Sequence, residues 1–169
     1  MKPFEEIYNA YYRRVFAFLY KLCQDRELTE DLTQETFYQA FASFSRFRGD
    51  SDIFTWLAAI AKRCYSKYLK KNKLSIEAIS LDRVLEFYGG QEKAAADDAL
   101  QKKESVLAIK SVLKELPQIQ QDVIMLRVYA ELSFRQVGQA LNISENSAKV
   151  IYFRAKNKLA KEIYNESVM

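Results

Sequence analysis

Residues 132–159 read LSFRQVGQALNISENSAKVIYFRAKNKL. Ser133 and Gln136 form an S-x-x-Q capping box, which starts a helix over 133–141. Asn142 suits the left-handed position that ends it. Ser144 then stands as the N-cap of a last helix, over about 145–162. Val137, Leu141, Ile143, Ala148, Ile151, Ala155 and Leu159 supply the apolar sides on which two such helices pack. Gly138 stands where the second helix must approach the first closely. The outward set on the last helix is Ser147, Lys149, Val150, Phe153, Arg154, Lys156 and Lys158. Two helices joined by a short turn, the second rich in Lys and Arg, make a helix-turn-helix pattern. Helices of this kind reach bases with their N-terminal half and phosphates with the rest. The same spacing also suits an ordinary helical hairpin with a solvated basic face.

Upstream, Val106, Ile109, Val112, Leu113 and Leu116 repeat at helical spacing until Pro117 stops them. A further helix is expected over about 118–130, which completes a C-terminal unit over 103–169. Before it, residues 73–102 break the composition with Gly89-Gly90, the polar run 91–93 and the small acidic run 94–99. This stretch reads as a flexible linker with at most a short helix. It carries net charge −2, and the blocks on either side carry +3 each. Basic blocks fit a nucleic-acid partner, though a mildly basic surface is also commonplace. In residues 1–72 three helices are expected. The first spans 4–23, with Ile7, Tyr11, Val15, Phe18 and Leu22 on one face. The second spans 30–44, capped by Thr29, with Leu32, Phe37, Ala40, Phe41 and Phe44 inward. The third spans 53–71, with Leu57, Ile60, Ala61, Cys64, Tyr68 and Leu69 recurring. The expected fold is all-α: two small helical domains, 1–72 and 103–169, joined by the 73–102 linker.

Composition narrows the function. The 169 residues are 49% hydrophobic with four Gly and two Pro, which suits packed helices and excludes collagen-like or low-complexity chains. There is no His, so His-based triads and most zinc sites are excluded. No phosphate-cradling glycine motif occurs, and no enzyme activity, cofactor or metal is expected. No apolar run approaches the ~18–20 residues of a membrane span, so no membrane contact is expected. The start MKPFEEIY lacks the apolar core of a secretory signal. Cys23 and Cys64, far apart and outside any CxxC, suit a reducing cytoplasm and a buried, inert role.

Two further patterns stand out. In EDLTQETFYQAF, residues 30–41, Asp31, Gln34, Glu35 and Tyr38 fall at i, i+3, i+4 and i+7 and share a face. That face suits plain solvation or docking of a basic partner. Between 44 and 71, Phe44, Phe47, Phe54, Trp56, Tyr65 and Tyr68 interleave with Arg46, Arg48, Lys62, Arg63, Lys67, Lys70 and Lys71. Aromatic platforms along a cationic track suit unstacked single-stranded bases; core packing of the rings with snorkelling cations gives the same pattern.

Taken in order, EDLTQETF, FRGDSDIFTWLAAIAKRCYSKYLKK and LSFRQVGQALNISENSAKVIYFRAKNKL resemble an extracytoplasmic-function (ECF) sigma factor of bacterial RNA polymerase. Residues 1–72 resemble region 2 and residues 103–169 region 4. The resemblance implies that Asp31, Leu32, Gln34 and Glu35, with Tyr38 beside them, dock on the clamp helices of the largest polymerase subunit. It implies that Phe47, Arg48, Gly49, Asp50 and Ser51 shape a pocket for a flipped-out base of the minus-10 element. It places Trp56 on the helix that opens the duplex, with Lys62, Arg63 and Lys67 beside the strand. The last helix would read the minus-35 major groove through Ser147, Lys149, Val150, Phe153, Arg154 and Lys156. Core RNA polymerase, including the flap of its β subunit, promoter DNA in duplex and single-stranded form, and an anti-sigma factor are the implied partners. The chain departs from the family pattern at Arg63, at Lys67 and at Val150-Ile151. A stand-alone helix-turn-helix regulator is the alternative reading. It accounts for 103–169 but leaves the Asp31/Gln34/Glu35 face without a task.

Overall fold

A computed structural model of the chain describes residues 3–73 and 111–168, with side chains to residue 162. The 73–102 linker and the start of the C-terminal unit lie almost wholly outside the described residues. Helix α1 spans Phe4–Cys23. It buries Ile7, Val15, Phe18, Leu19 and Leu22 and ends where Gln24 turns left-handed at φ 50°.

Helix α2 spans Arg26–Ser43. It starts four residues before the expected Glu30, because Asp25 rather than Thr29 caps it, accepting from the Leu28 amide at 3.1 Å. Thr29 lies within the helix instead. Thr29, Thr33 and Thr36 are all fully buried. Each hydroxyl donates to the carbonyl four or so residues back, those of Asp25, Thr29 and Leu32, at 2.6, 2.7 and 2.7 Å. That bond removes the cost of burying a hydroxyl, so a polar stripe serves as the inner face. Phe41, expected in the core, is 65% exposed. It lies one position beyond the inward Ala40, about 100° further round the helix, and rests edge-on against Phe4 at 5.3 Å.

A 3-10 turn, Phe44–Arg46, and an irregular loop lead to α3, Ile53–Lys71. Asp52 caps α3 by accepting from the Thr55 amide at 2.9 Å and the Thr55 hydroxyl at 2.7 Å. Phe54, Leu57, Ala58, Ile60, Ala61, Cys64, Tyr65 and Leu69 are buried along it. The three helices pack on one another as a bundle.

In the second unit residues 111–115 are helical and Pro117 breaks the chain. Gln121 Nε2 ties this corner, donating to the carbonyls of Leu113 and Leu116 at 3.1 and 3.0 Å. Helix α4, Gln118–Ile124, runs directly into a π-helical turn, Met125–Tyr129. Helix α5 spans Phe134–Leu141 and has the expected capping box and a left-handed Asn142. Helix α6 spans Glu145–Val168, and the Ser144 hydroxyl accepts from the Ser147 amide at 3.0 Å. Gly138 makes the α5–α6 approach possible: a Cβ there would lie 2.6 Å from the Ile143 carbonyl oxygen.

The two units do not stand apart. Helix α3 packs on α5, and α1 and α3 both touch the π turn. The buried apolar residues of both form one cluster. Cys23 and Cys64 are free thiols, the second buried. Burial pushes the Cys23 thiol up to about 12, offset only in part by the neighbouring Thr29 hydroxyl. Among the described residues no helix is long and apolar enough to cross a membrane.

Candidate nucleic-acid and protein interfaces

The outer face of α2 carries Asp31, Gln34, Glu35 and Tyr38, all exposed. The Glu35 carboxylate accepts from Gln39 Nε2 at 2.9 Å. Tyr38 is 71% exposed, and Phe41 and Tyr8 are open beside the same helix pair. The exposed surface is therefore acidic and aromatic together, a combination that monomeric surfaces seldom leave uncovered. The sequence reading assigned Phe41 to the core and so missed it here. Leu32, in contrast, is 7% exposed. It packs α2 into the bundle and, in this arrangement, offers little surface to a partner.

The loop before α3 presents Arg48, Gly49 and Asp50 to solvent, with Phe47 and Ser51 half-buried. Gly49 adopts φ 77°, a left-handed conformation that glycine takes without steric cost. Phe47 lies against Trp56, ring centroids 4.6 Å apart. Phe44 approaches the same indole at 6.3 Å, so a half-open aromatic shelf backs the loop. Burial alone would raise the Asp52 carboxyl. Hydrogen bonds from Thr55 and Gln136, with Arg14 nearby, leave it below its ordinary value.

Further along α3, Arg63 and Lys67 are exposed as expected. Lys62 is not. It is 9% exposed, and its Nζ lies 2.9 Å from Asp122 Oδ2 on α4. The expectation that Lys62 faces a DNA strand does not hold in this arrangement. A carboxylate from the second unit has taken the ammonium out of solvent, and position along α3 alone could not reveal that partner.

On α6 the residues Ser147, Lys149, Val150, Phe153 and Arg154 are exposed, and Lys156 is half-buried. Ala148, Tyr152, Ala155 and Leu159 face inward. Tyr152, not expected in the core, fills the slot against Phe134 at 5.3 Å. Phe153 is 48% exposed and touches Phe134 with one side of its ring, at 6.1 Å. Lys149 sits 3.9 Å from Glu145. Two exposed groups were missed: Asn146 in the first turn of α6 and Arg135 at the start of α5. The segment S-E-N-S held the signal for Asn146, since the residues just after an N-cap point toward whatever the helix end meets. Among the described residues no cluster of His, Cys, Asp and Glu could hold a metal ion.

The sequence that carries the acidic–aromatic face of α2, the aromatic-backed loop and the basic face of α6 matches known families in both halves. Residues 7–74 match Sigma-70 region 2 and residues 107–159 match Sigma-70 region 4. The ECF RNA polymerase sigma factor SigM of Bacillus subtilis is 31% identical over 168 residues, covering 97% of this chain and 96% of SigM. The chain belongs to the ECF family of RNA polymerase sigma factors. It is an alternative sigma factor that initiates transcription, and no finding favours the stand-alone regulator. Sigma factors are non-catalytic regulators of the polymerase. SigX of the same organism is 28% identical, covering 99% of this chain and 88% of SigX. Among solved structures, the sigma factor RpoE of Bartonella quintana, in complex with the anti-sigma factor NepR, shares the fold. Its TM-score is 0.56 at 20% identity, over 97% of this chain and 98% of that one. CnrH, in complex with the cytosolic domain of CnrY, gives a TM-score of 0.52 at 17% identity, over 94% and 85%.

Proposed function

We propose that this sigma factor divides its work among three surfaces, with units at 1–72 and 103–169 and a join at 73–102. The outer face of α2, through Asp31, Gln34, Glu35 and Tyr38, docks on the clamp helices of the largest polymerase subunit. The second unit meets the β-subunit flap. Opposite charge on the partner would steer and orient that encounter. The exposed Tyr8 and Phe41 widen this face with apolar area.

The 47–51 loop and Trp56 receive bases of the minus-10 element as the duplex opens. An unstacked base is costly unless it gains stacking and hydrogen bonds elsewhere, and a half-open indole beside a glycine-containing loop can supply both. Arg63 and Lys67 follow the backbone. Helix α6 reads the minus-35 duplex through Ser147, Lys149, Val150 and Phe153, with Asn146 joining them and Arg154 and Lys156 on phosphates. Val150 and Phe153 offer apolar contact to a thymine methyl. Two weak DNA contacts on one chain reinforce each other through effective concentration. The setting is the cytoplasm, and an anti-sigma factor is the proposed regulator, as in the complexes of RpoE and CnrH.

The observation that carries this reading is one chain bearing both an exposed acidic–aromatic face on α2 and an exposed basic face on α6. The test combines core polymerase binding with run-off transcription. Asp31→Lys with Glu35→Lys reverses the α2 charge without touching Leu32 or Phe37. The double variant should compete poorly for core polymerase and lose run-off transcription while its melting temperature holds. Normal competition would refute the docking role.

A further inference from the structure

Arg14, one residue before the buried Val15 of α1, is exposed. Its guanidinium carbon lies 3.7 Å from the centroid of the Phe54 ring. Phe54 is the second residue of α3 and only 2% exposed. The ring is therefore a fixed platform, and the packing of α1 on α3 sets the guanidinium over it.

An arginine stacks on a ring with its flat face. Its five N–H groups lie in the plane of the guanidinium and point out from its edges. The contact with Phe54 thus orients those donors without using any of them. Among the described residues Arg14 forms no ion pair and donates no hydrogen bond. Asp52 is near enough to feel the Arg14 charge. Its oxygens, however, already accept from the Thr55 amide, the Thr55 hydroxyl and Gln136 Nε2, at 2.9, 2.7 and 2.7 Å. Arg127 gives the contrast. It too lies over a ring, that of Phe134 at 4.3 Å, but its Nη1 donates to the Leu132 carbonyl at 2.8 Å. The edge of Arg127 ties the chain to itself, and the edge of Arg14 faces outward.

A planar, permanently charged fork with open donors matches the geometry of a phosphate group. Its place indicates which phosphate. Asp52 and Phe54 follow directly on the 47–51 loop. Arg63 and Lys67, the cations assigned to the strand on α3, lie about 14 and 20 Å beyond Phe54 along the helix axis. They serve the strand on one side of the loop, and on the side of α1 the oriented cation is Arg14. We propose that Arg14 is a further DNA-contacting residue: it holds the phosphate next to the base taken by the 47–51 loop, on the side toward α1, and sets the direction in which the opened strand leaves the loop. The proposal rests on the minus-10 reading of that loop and extends the site to α1. Single strands are held by a cationic track beside stacking rings, and here part of the track comes from a different helix than the one that carries Trp56. Phosphate contacts fix register without reading sequence, so Arg14 should act alike at every promoter.

The test uses holoenzyme assembled from the full-length chain and core polymerase. Labelled single-stranded oligonucleotides carrying the minus-10 sequence are bound, with anisotropy as the readout. Arg14→Met keeps an unbranched apolar stem over Phe54 and removes the charge, and Arg14→Lys keeps the charge without the fork. One phosphate contact on a single strand contributes about 0.7 to the salt slope, so Arg14→Met should lower the slope by about that amount and weaken binding roughly 5- to 10-fold near 0.05–0.1 M salt. Arg14→Lys should retain most of the slope. Oligonucleotides in which one phosphate at a time is neutralised as a methylphosphonate locate the contact. The parent should lose affinity at the linkage beside the base held by the loop, and Arg14→Met should be indifferent to that same linkage. Trp56→Ala is measured alongside. If Trp56→Ala weakens binding while Arg14→Met leaves affinity and slope unchanged, the minus-10 reading stands and the Arg14 contact is refuted. If Arg14→Met lowers the slope while Trp56→Ala has no effect, the Arg14 contact stands and the stacking role of Trp56 falls. A lower melting temperature in Arg14→Met, with every neutralised linkage costing it as much as it costs the parent, would make Arg14 a packing residue and overturn the proposal.

Discussion

Phe47 and Trp56 lie with ring centroids 4.6 Å apart and planes inclined by 31°, so the loop before α3 is fastened to the helix by an aromatic contact. Trp56 is the only tryptophan, which makes its fluorescence a reporter of this one site. Phe47→Ala should red-shift the emission as water reaches the indole. It should also weaken minus-10 oligonucleotide binding by the loss of an aromatic pair worth ~0.5–1.5 kcal/mol. Titrating parent chain with the oligonucleotide should quench the same emission. An unchanged spectrum on saturation would remove Trp56 from the binding surface.

Helix α6 offers a second comparison. Phe153→Ala should cost ~1–3 kcal/mol at the preferred minus-35 sequence and less at a variant sequence. Arg154→Ala should weaken both sequences about equally and lower the salt slope by roughly one unit. Run-off transcription from two minus-35 variants over a salt series separates these outcomes. Phe153 also leans on Phe134, so the melting temperature is measured alongside. Equal loss at both promoters with a lower melting temperature would make Phe153 a packing residue.

Gly138→Ala tests the turn itself. The new methyl would meet backbone, the Ile143 carbonyl oxygen at 2.6 Å and the Ser144 carbonyl carbon at 3.2 Å. Backbone cannot swing aside as a side chain can, so the cost is that of overpacking, about 1–3 kcal/mol. For a chain of this size that lowers the melting temperature by roughly 2–4 °C per kcal/mol. A thermal melt by circular dichroism checks it, and an unchanged midpoint would contradict the geometry.

Asp52 links the α3 cap to acid stability. Its folded-state pKa lies below the ordinary 3.8, so in acid the folded chain binds fewer protons at this group than the unfolded chain. The stabilisation is present above 3.8 and is lost as pH falls below it. Asp52→Ala should cost about 1 kcal/mol as a lost N-cap in neutral buffer. In strongly acid buffer, where the parent carboxyl is itself protonated, the two chains should converge. Urea midpoints at both pH values provide the measurement, and a difference that persists in acid would argue against the carboxylate.

The sequence located much of this architecture because the relevant signals are local. The bounds of α1 and α3 match the expected 4–23 and 53–71. The Ser133–Gln136 box and the left-handed Asn142 are where their chemistry placed them. Legibility failed where a residue's environment is set from elsewhere. Thr29, Thr33 and Thr36 read as polar, yet a hydroxyl bonded to a carbonyl one turn back is apolar to its surroundings. Phe41 reads as core, yet its place on the turn faces it outward. Lys62 reads as one more cation in a track, and only the fold brings Asp122 to it.

Asp122, Val123, Ile124, Met125 and Leu126 are five successive buried residues, and the segment has no outer side along that length. An ordinary amphipathic helix has a solvent stripe where substitutions pass unnoticed. Here the run crosses from the end of α4 into the π turn, and α4 and the turn between them pack on α1, α3 and α6, in both halves of the molecule. Sequence drift in this stretch therefore has to be matched at once by changes on α1, α3 and α6. It should vary more slowly between relatives than the outer face of α6, whose exposed residues can change singly.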